Sequence, residues 1–425
     1  WLVNLEWIFF KMATYFVLLD AFRGDYISPK TTPYLYYISQ NGEYYKRTRQ
    51  SLGYCERSEI FTGKSGLETG FITALEFKPE HSEYSKLFIN KIVRRVCSLF
   101  SAITGSSDTR KVLRLKKACK NIFLRLLYFK SFKMRSYNIP LDLLHFFALS
   151  EDYVDHRESN ALPFPSIFDY MRESNINYNY AGFTALGMRE ELRTDEERFI
   201  QVEKSAGDET VSLHLLYISS ADKYGHLYGP SSDLFITEMS NLDQRIKSFV
   251  QHVESSDDKA KFVFLGDHGM TDVTKKIDIK SIIENICKTN DIVLGRDIVY
   301  FLDSTIFRVW FLNDKGWGAK VDIENHSEVI RFGSWMTSAN SQHYNVKWPN
   351  RSYGDMLWLA SPGAMIFPDF FNSIYVPKGM HGYDPSHKDS GGMCIHYGSG
   401  ISSKNIEEIP LNAVHDILMS SLNKV

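Results

Sequence analysis

The chain has 425 residues, of which 44% are hydrophobic, and its 49 basic and 51 acidic residues leave a formal net charge of −2. This length and apolar content predict one large α/β domain with insertions, or two domains, and argue against a fold that needs covalent staples. The five cysteines are scattered and include no CxxC pair, which argues against a disulfide framework and a cysteine-based structural zinc site and favours a reducing compartment.

The first eleven residues, WLVNLEWIFFK, fit a signal peptide poorly. They are apolar but contain Glu6 and Lys11, and they lack a basic start and a small-residue cleavage site. The chain begins with Trp1, and Met12 is a candidate for the natural start. Because no apolar run reaches about 20 residues, we expect no membrane-spanning helix. We therefore predict a cytoplasmic protein, with peripheral membrane association as the alternative.

A strand near the start of the chain leads into the first candidate site residue. Residues 15–19 are consecutive apolar residues and predict a β-strand buried on both faces, with Asp20 at its carboxyl end. Ligands of open α/β sheets bind at that edge. The alternative is a structural Asp that caps a turn. Residues 12–75 form the first part of the predicted core and include a short helix over 56–61 that ends at Gly63.

Residues 76–210 are predicted to form a basic insertion. Between positions 86 and 135 the chain has 14 Lys and Arg residues and one acidic residue, which leaves 35 basic and 50 acidic residues elsewhere. Apolar residues at spacings of three and four from Val112 to Leu126 predict an amphipathic helix with a basic face. That face is either simply solvated or contacts anionic lipid or a polyanionic substrate. Nucleic acid is disfavoured because no recognition motif accompanies the charge.

The later segments return to an α/β pattern. Residues 211–275 predict a strand over 213–218, a loop with the sequence SSADKYGHLYGP, a helix over 236–249 and a strand over 262–265. This order predicts a doubly wound, mostly parallel sheet. Residues 276–375 are interpreted as a second elaboration of the core. Residues 376–425 are assigned to the core again, with a short strand over 393–396 and a closing helix from Pro410.

Carboxylate and imidazole side chains recur in four short motifs beside glycines. The candidate metal ligands are Asp20, Asp222, His226, Asp267, His268 and His381. Three carboxylates and three imidazoles suit zinc or a similar divalent ion, and six protein ligands are enough for two ions. Two ions a few Å apart stabilise both the attacking and the leaving oxygen of an in-line phosphoryl transfer. Each motif is weak alone, and the prediction of two divalent metal ions, with zinc favoured, depends on their joint occurrence.

The motifs LLDAFRGDY, DKYGHLYGP, LGDHGM and GMHGYDP, in this order, resemble the alkaline phosphatase superfamily and its nucleotide pyrophosphatase/phosphodiesterase branch. The resemblance covers the predicted core and not residues 86–205. It implies an alkaline phosphatase-like α/β fold with a helical or mixed insertion, and hydrolysis through a covalent phospho-enzyme. It also implies two ligand sets, one of Asp20, Asp267 and His268 and the other of Asp222, His226 and His381.

The sequence departs from this family at the nucleophile. In the family a Thr or Ser lies ten residues before the Gly of a T-G pair, and counting back from Gly63 reaches Gly53, which has no side chain. Cys55 and Ser58 are the competing candidates, because a thiolate at a helix N-terminus and a hydroxyl can both attack phosphorus. Ser51 is a weaker candidate. The remaining alternative is that no covalent intermediate forms.

Arg57 lies beside these candidates and is a candidate phosphate contact. The alternative is an exposed ion pair with Glu56 or Glu59.

These observations predict a metal-dependent hydrolase of phosphodiester or pyrophosphate bonds that uses two-metal in-line transfer. The expected substrate is an anionic phosphate compound such as a nucleotide, a nucleotide sugar or a lipid-linked pyrophosphate. A phosphomonoesterase, a sulfatase-like hydrolase or a phosphotransferase of the same superfamily is the first alternative. A catalytically inactive metal-binding protein is the second, and Gly53 motivates it.

Overall fold

The computed structural model describes residues 13–85, 118, 134, 136–150, 155–183 and 194–422. The strands are β1 (Thr14–Leu19), β2 (Glu43–Arg49), β3 (Leu75–Phe77), β4 (Phe147–Leu149), β5 (Asn177–Gly182), β6 (Val211–Ile218), β7 (Lys261–Leu265), β8 (Thr271–Asp272), β9 (Lys275–Ile277), β10 (Ile298–Leu302), β11 (Ile306–Phe311), β12 (Gly333–Trp335), β13 (Met356–Ala360), β14 (Ala364–Ile366), β15 (Gly379–Met380), β16 (Gly392–Gly398) and β17 (Lys404–Pro410).

The helices of the described residues follow the same chain order. They are α1 (Pro33–Asn41), α2 (Glu56–Thr62), α3 (Gly66–Thr69), α4 (Leu141–Leu144), α5 (Ile167–Glu173), α6 (Asp195–Glu203), α7 (Ser220–Tyr228), α8 (Asp233–Ser256), α9 (Ile279–Thr289), α10 (Asp314–Trp317), α11 (Lys320–Glu324), α12 (Ser327–Phe332) and α13 (Val414–Leu422). Single 3-10 turns occur at Gly24–Tyr26 and Leu411–Ala413.

The main sheet has seven strands in the order β17-β2-β16-β7-β1-β6-β5. Strand β1 pairs in parallel with both β6 and β7, and β16 is antiparallel to its neighbours β7 and β2. Every residue of β1 is buried, because the strand lies inside the sheet, between β7 and β6, with helices on both faces. The structure therefore confirms the predicted mostly parallel α/β sheet and places β1 among its interior strands.

Alternate residues of β1 pack against opposite helix layers. Tyr15 and Val17 belong to a cluster with apolar residues of α1, α6 and α8. Phe16 and Leu18 belong to a cluster with residues of α2, α5 and α13 on the other face. Since side chains of a strand alternate between faces, this run of apolar residues fills both layers. The architecture is doubly wound, as the sequence predicted.

Residues 276–375 form a second unit with its own apolar core, which we call the accessory lobe. Its antiparallel sheet has the order β10-β11-β13-β12, and helices α9 to α12 surround it. The core includes Trp310 and Trp358, both fully buried. The antiparallel pair of β3 and β4 packs against this core, with Leu75 and Phe147 in the same cluster.

The structure differs from the expected organisation in the middle of the chain. Strand β5 pairs in parallel with β6, and α6 packs on the main sheet, so these elements belong to the core layers although the sequence placed the insertion up to residue 210. The segment SSADKYGHLYGP, expected as a loop, contains helix α7. The helix ends before Gly229, which adopts φ +84°. Strands β2 and β17 were not predicted, because their polar residues give no continuous apolar run.

The basic segment 86–135 lies outside the described residues except at positions 118 and 134, and the predicted helix over 112–126 lies in it. Across the described part of the chain, none of the helices combines the length and the hydropathy that crossing a bilayer requires.

Candidate metal centre

Asp20 lies immediately after β1 and is almost fully buried, with 6% of its surface exposed. Its amide donates to the carbonyl of Ile218 at the end of β6, at 3.0 Å. Ala21, the next residue, adopts φ 59°, so the chain turns sharply away from the sheet. The hydroxyl of Tyr217 donates a hydrogen bond to the Asp20 carboxylate. Asp20 is therefore oriented by both its backbone and its side chain.

Asp267 and His268 follow β7 at the same edge of the sheet. Asp267 Oδ1 accepts hydrogen bonds from the amides of Ala21 at 3.1 Å and His268 at 3.0 Å. His268 Nε2 lies 3.2 Å from Asp20 Oδ1 and 3.9 Å from Asp267 Oδ1. Asp20, Asp267 and His268 thus form a buried group whose ligand atoms all lie within 4.8 Å of one another.

A second group forms between α7 and the residue after β15. Asp222 and His226 are four positions apart on α7, so both point to the same side of the helix. His226 Nε2 lies 3.1 Å from Asp222 Oδ1, and His381 Nε2 lies 3.6 Å from the same oxygen. Asp222, His226 and His381 therefore meet the same 4.8 Å criterion.

Two glycines allow α7 to pack closely against its neighbours, β15 and Met270. A Cβ atom on Gly379 would lie 2.6 Å from the carbonyl oxygen of Gly225, and one on Gly225 would lie 2.9 Å from Met270 Cγ. No real Cβ contact is that short against backbone, so only glycine fits at 379 without movement of the helix. This approach brings His226 and His381 to the same place.

The two groups adjoin each other. The rings of His268 and His381 are stacked, with centroids 4.0 Å apart and an interplanar angle of 11°. The amide of Asp222 donates to the carbonyl of Asp20 at 3.0 Å, which joins the backbones that carry the two groups. The structure therefore brings together all six residues that the sequence singled out, and it divides them into the two sets that the family resemblance implied.

The histidines present their Nε2 atoms to carboxylate oxygens. His226 Nδ1 donates to the carbonyl of Gly379 at 2.8 Å, and His268 Nδ1 donates to that of Gly269 at 3.0 Å. In a neutral imidazole with a proton on Nδ1, Nε2 carries a lone pair and repels a carboxylate unless a cation lies between them. The donor set of each group therefore fits a divalent metal ion such as zinc.

The electrostatics of the two groups lead to the same conclusion. Burial opposes a charge on His226, but the Asp222 carboxylate outweighs it and raises the pKa of His226 to about 9. Burial likewise opposes a charge on His268, and Asp267 and Asp20 together raise its pKa well above the usual value. Without a metal ion, the extra protons on His226 and His268 supply the positive charge that the carboxylates require.

The pKa values of the other candidate ligands Asp267, Asp20 and His381 do not all shift in the same direction. Burial, together with the charge of Asp20, raises the pKa of Asp267 to about 6 although His268 opposes this. Burial also acts to raise the pKa of Asp20, but the hydrogen bond and charge of His268 lower it overall. Burial and the positive charges of His268 and His226 lower the pKa of His381 well below its usual value. His381 is thus a neutral imidazole, the form that binds metal.

Gly53, the position reached by counting back from Gly63, has no room for a side chain. It adopts φ +122°, and a Cβ atom there would lie 1.7 Å from the carbonyl oxygen of Ile72. Helix α2 begins three residues later and ends at Gly63 with φ +68°, as predicted. This chain therefore has no nucleophile at that position.

The three nucleophile candidates differ in their surroundings. Cys55 is the N-cap of α2, and its Sγ lies 4.0 Å from Ser150 Oγ. Ser58 is buried in the first turn of α2, and its hydroxyl donates to the carbonyl of Cys55 at 2.9 Å. Ser51 Oγ accepts hydrogen bonds from the Gly66 amide and from Asn345, so it has a structural role in the turn. The choice between Cys55 and Ser58 stays a prediction.

Arg57 is 3% exposed, so any ion pair that it forms with Glu56 or Glu59 is a buried one. Its guanidinium lies over the rings of Phe183 and Tyr217, 5.3 Å from each centroid. Its positive charge acts on the carboxylates of Asp20 and Asp267. Arg57 therefore lies beside the first ligand group.

Two side chains in contact with those of candidate ligands, Tyr217 and Tyr54, were not predicted from the sequence. Tyr217 lies inside the apolar run of β6, and only its place one residue before the end of the strand distinguished it. Tyr54 packs its ring against His381, with centroids 5.5 Å apart, although it had no motif around it.

The chain is similar to a known protein family and, over a short stretch, to an individual protein. The model of the family "Type I phosphodiesterase / nucleotide pyrophosphatase" matches residues 169–384, a range that includes five of the six candidate ligands. A stretch of 66 residues is 39% identical to GPI ethanolamine phosphate transferase 1 of Emericella nidulans and covers 15% of this chain. The match spans only 7% of the length of that protein.

Solved structures share the fold over nearly the whole chain. Human ectonucleotide pyrophosphatase/phosphodiesterase 5 has a TM-score of 0.66 at 16% identity, covering 97% of this chain and 96% of that chain. An inactive variant of the murine protein of the same name, in complex with AMP, has a TM-score of 0.64 at 15% identity with the same coverage. The fold is thus alkaline phosphatase-like. Because the family model spans more than half of the 425 residues, the chain belongs to the type I phosphodiesterase/nucleotide pyrophosphatase family of hydrolases.

Proposed function

We propose that this protein is a metal-dependent hydrolase of phosphodiester or pyrophosphate bonds that uses two divalent cations, with zinc as the first candidate. The observation that carries the proposal is the convergence of six carboxylate and imidazole side chains into two adjoining groups, in contact through the stacked rings of His268 and His381. Membership of a phosphodiesterase and pyrophosphatase family supports the reaction class.

Each group would hold one cation. Asp20, Asp267 and His268 would bind the first, and Asp222, His226 and His381 would bind the second. When bound, such cations polarise a phosphoryl group and neutralise charge on the attacking and leaving oxygens.

Arg57 is proposed to donate hydrogen bonds to a phosphate oxygen. Its guanidinium is held over Tyr217 and Phe183 beside the first group, and a buried guanidinium is a strong donor to phosphate.

Cys55 is the first candidate for the nucleophile, and Ser58 is the second. Cys55 lies at the N-terminus of α2, where the helix dipole favours a thiolate. The thiolate sulfur would attack phosphorus, the bond from phosphorus to the leaving oxygen would break, and water would then cleave the phosphorus–sulfur bond. Ser58 would react in the same way through oxygen, but its hydroxyl is hydrogen-bonded to the Cys55 carbonyl.

The proposed substrates are anionic phosphate compounds, namely nucleotides, nucleotide sugars or lipid-linked pyrophosphates. The name of the family supports a nucleotide, and the murine structure named above contains AMP. Contact with a membrane through residues 86–135 remains part of the proposal on the basis of their charge alone.

The test combines metal analysis with hydrolysis assays. Purified protein should hold about two divalent ions per chain and cleave a chromogenic phosphodiester faster than the matching monoester or sulfate ester. Asp222→Ala and His381→Ala should each remove one ion and lower kcat/KM for the diester by at least about 100-fold. Asp291→Ala is the control, because Asp291 is exposed and pairs with Lys315 on the accessory lobe.

Two results would contradict the proposal. If Asp222→Ala or His381→Ala leaves diester hydrolysis intact, the two groups are not the catalytic centre. If wild-type protein binds two ions but turns over no diester, monoester or sulfate, the chain is an inactive metal-binding protein.

A phosphotransferase is a second candidate, and the 66 residues similar to GPI ethanolamine phosphate transferase 1 support it. The same metal centre would then deliver the phosphoryl group to an alcohol instead of water. Adding a simple alcohol acceptor to the diester assay separates the two reactions. Transfer to the alcohol yields a new phosphodiester, whereas hydrolysis yields a phosphate monoester.

A further inference from the structure

The three candidate histidine ligands are not held in the same way. His226 and His268 each donate their Nδ1 proton to a backbone carbonyl, that of Gly379 or Gly269. His381 Nδ1 is buried and has no hydrogen-bond partner among the described residues. Hydrogen bonding at Nδ1 therefore orients two of the imidazoles but not the third.

Ring packing and the backbone position His381 instead. The ring of Tyr54 meets that of His381 edge to face, with an interplanar angle of 78° and centroids 5.5 Å apart. On another side the ring stacks on that of His268. Such contacts fix the ring only if the backbone of His381 is itself fixed.

Two hydroxyl groups fix that backbone. Thr305 Oγ1 lies 2.8 Å from the carbonyl oxygen of Gly382 and 3.2 Å from that of His381. The hydroxyl of Tyr54 lies 2.5 Å from Thr305 Oγ1 and 3.4 Å from the His381 carbonyl oxygen. A threonine hydroxyl donates one proton and accepts others, so Thr305 can donate to the Gly382 carbonyl while Tyr54 donates to Thr305.

The backbone of Gly382 fits closely beneath Tyr54. Gly382 adopts φ +82°, and a Cβ atom there would lie 2.4 Å from the Tyr54 hydroxyl oxygen.

Thr305 belongs to the accessory lobe, in the tight turn between β10 and β11, and is fully buried. The amide of Asp303 donates to the Ile306 carbonyl across this turn at 2.9 Å. The amide of Ala360 donates to the Thr305 carbonyl at 2.9 Å. The hydroxyl group is thus held by the sheet of the lobe, and its position does not depend on the metal centre.

We propose that Tyr54 and Thr305 are positioning residues that hold His381 for the second cation, so that the accessory lobe controls binding at the second group. This inference rests on the proposed function, because it requires that Asp222, His226 and His381 bind a metal ion.

The test measures metal affinity directly. Thr305→Val removes the hydroxyl at nearly constant volume, and Thr305→Ser keeps it. Stepwise zinc titration of metal-free protein against a chromophoric chelator should show a 10 to 100-fold lower affinity for one of the two ions in Thr305→Val and in Tyr54→Phe. Thr305→Ser should restore the wild-type affinity to within about threefold, and the other ion should bind normally in every variant.

Thr271→Val is the matched control. Thr271 is a buried threonine on β8, next to β15, and its hydroxyl has no hydrogen-bond partner among the described residues. It should bind both ions normally, and the circular dichroism of all variants should match wild type. Normal binding of both ions by Thr305→Val and Tyr54→Phe would overturn this inference alone. Wild-type protein that binds no second ion would overturn the proposed function and this inference with it.

Discussion

The hydroxyl of Tyr217 donates a hydrogen bond to the carboxylate of Asp20, across two neighbouring parallel strands. The Tyr217 ring is itself flanked by two guanidinium groups, with Arg198 4.9 Å and Arg57 5.3 Å from its centroid. The orientation of Asp20 therefore depends on a tyrosine that would not bind the metal ion.

Tyr217→Phe should weaken binding of the first ion. Removal of a hydrogen bond to a metal ligand lowers metal affinity by about 10 to 100-fold, and the second group should be unaffected. Zinc titration with a chelator competitor measures this. Tyr300→Phe is the control, because Tyr300 is fully buried on the accessory lobe and its hydroxyl has no partner among the described residues. Equal affinities in the two variants would show that Tyr217 does not orient Asp20.

Cys55→Ala should abolish turnover and leave both ions bound, because the thiol at the N-terminus of α2 is proposed to attack the phosphoryl group. Ser58→Ala should change kcat by less than about fivefold, because the Ser58 hydroxyl is hydrogen-bonded to the Cys55 carbonyl and Cys55 is the first candidate for the nucleophile. Loss of this hydrogen bond should cost about 1 kcal/mol of stability. Mass spectrometry of protein quenched during turnover should find the phosphoryl group of the diester, with its remaining ester group, on Cys55. The same adduct on Ser58, with an active Cys55→Ala variant, would reverse the assignment.

Gly379→Ala should destabilise the fold by about 1 to 3 kcal/mol and weaken binding at the second group, because the added methyl group would push β15 away from α7. The free energy of unfolding in urea and a zinc titration provide the two measurements. Gly318→Ala is the control, because Gly318 is exposed and has an ordinary helical φ of −59°. A Gly379→Ala variant as stable as wild type would mean that the helix adjusts freely.

Asp369→Asn should change how stability depends on pH. Burial raises the pKa of Asp369 to about 7, although amides of Asn372 and Phe371 and the Ser304 hydroxyl stabilise the carboxylate. In the unfolded chain this group has a pKa of about 3.9, so between about pH 4 and 7 the folded protein binds more protons than the unfolded one. Stability from this group is therefore greatest at low pH and is lost as the pH rises through about 7, by at most about 4 kcal/mol.

Asparagine cannot titrate, so this contribution should disappear from the variant. Relative to wild type, Asp369→Asn should become more stable as the pH rises from about 4.5 to 8. Urea unfolding at both pH values measures the difference. A constant difference between the two proteins would show that Asp369 is ionised throughout this range.

The sequence by itself identified the candidate ligands and the strands that carry much of the set. A continuous apolar run must be buried on both faces of a sheet, so residues 15–19 and 262–265 were recognisable as central strands, and polar residues after them had to lie at the carboxyl edge. Asp20, Asp267 and His268 followed from that rule. Asp222, His226 and His381 followed from their motifs.

Only the tertiary structure decided which side chains support those ligands. Tyr217 looked like one more apolar residue of a strand, and Thr305 lay in the predicted second elaboration of the core with no motif around it. Their roles arise from contacts between residues far apart in the chain, to Asp20 and to the backbone of His381 and Gly382. Local patterns record burial and backbone conformation, but a hydrogen bond across the fold leaves no periodic signal in the sequence.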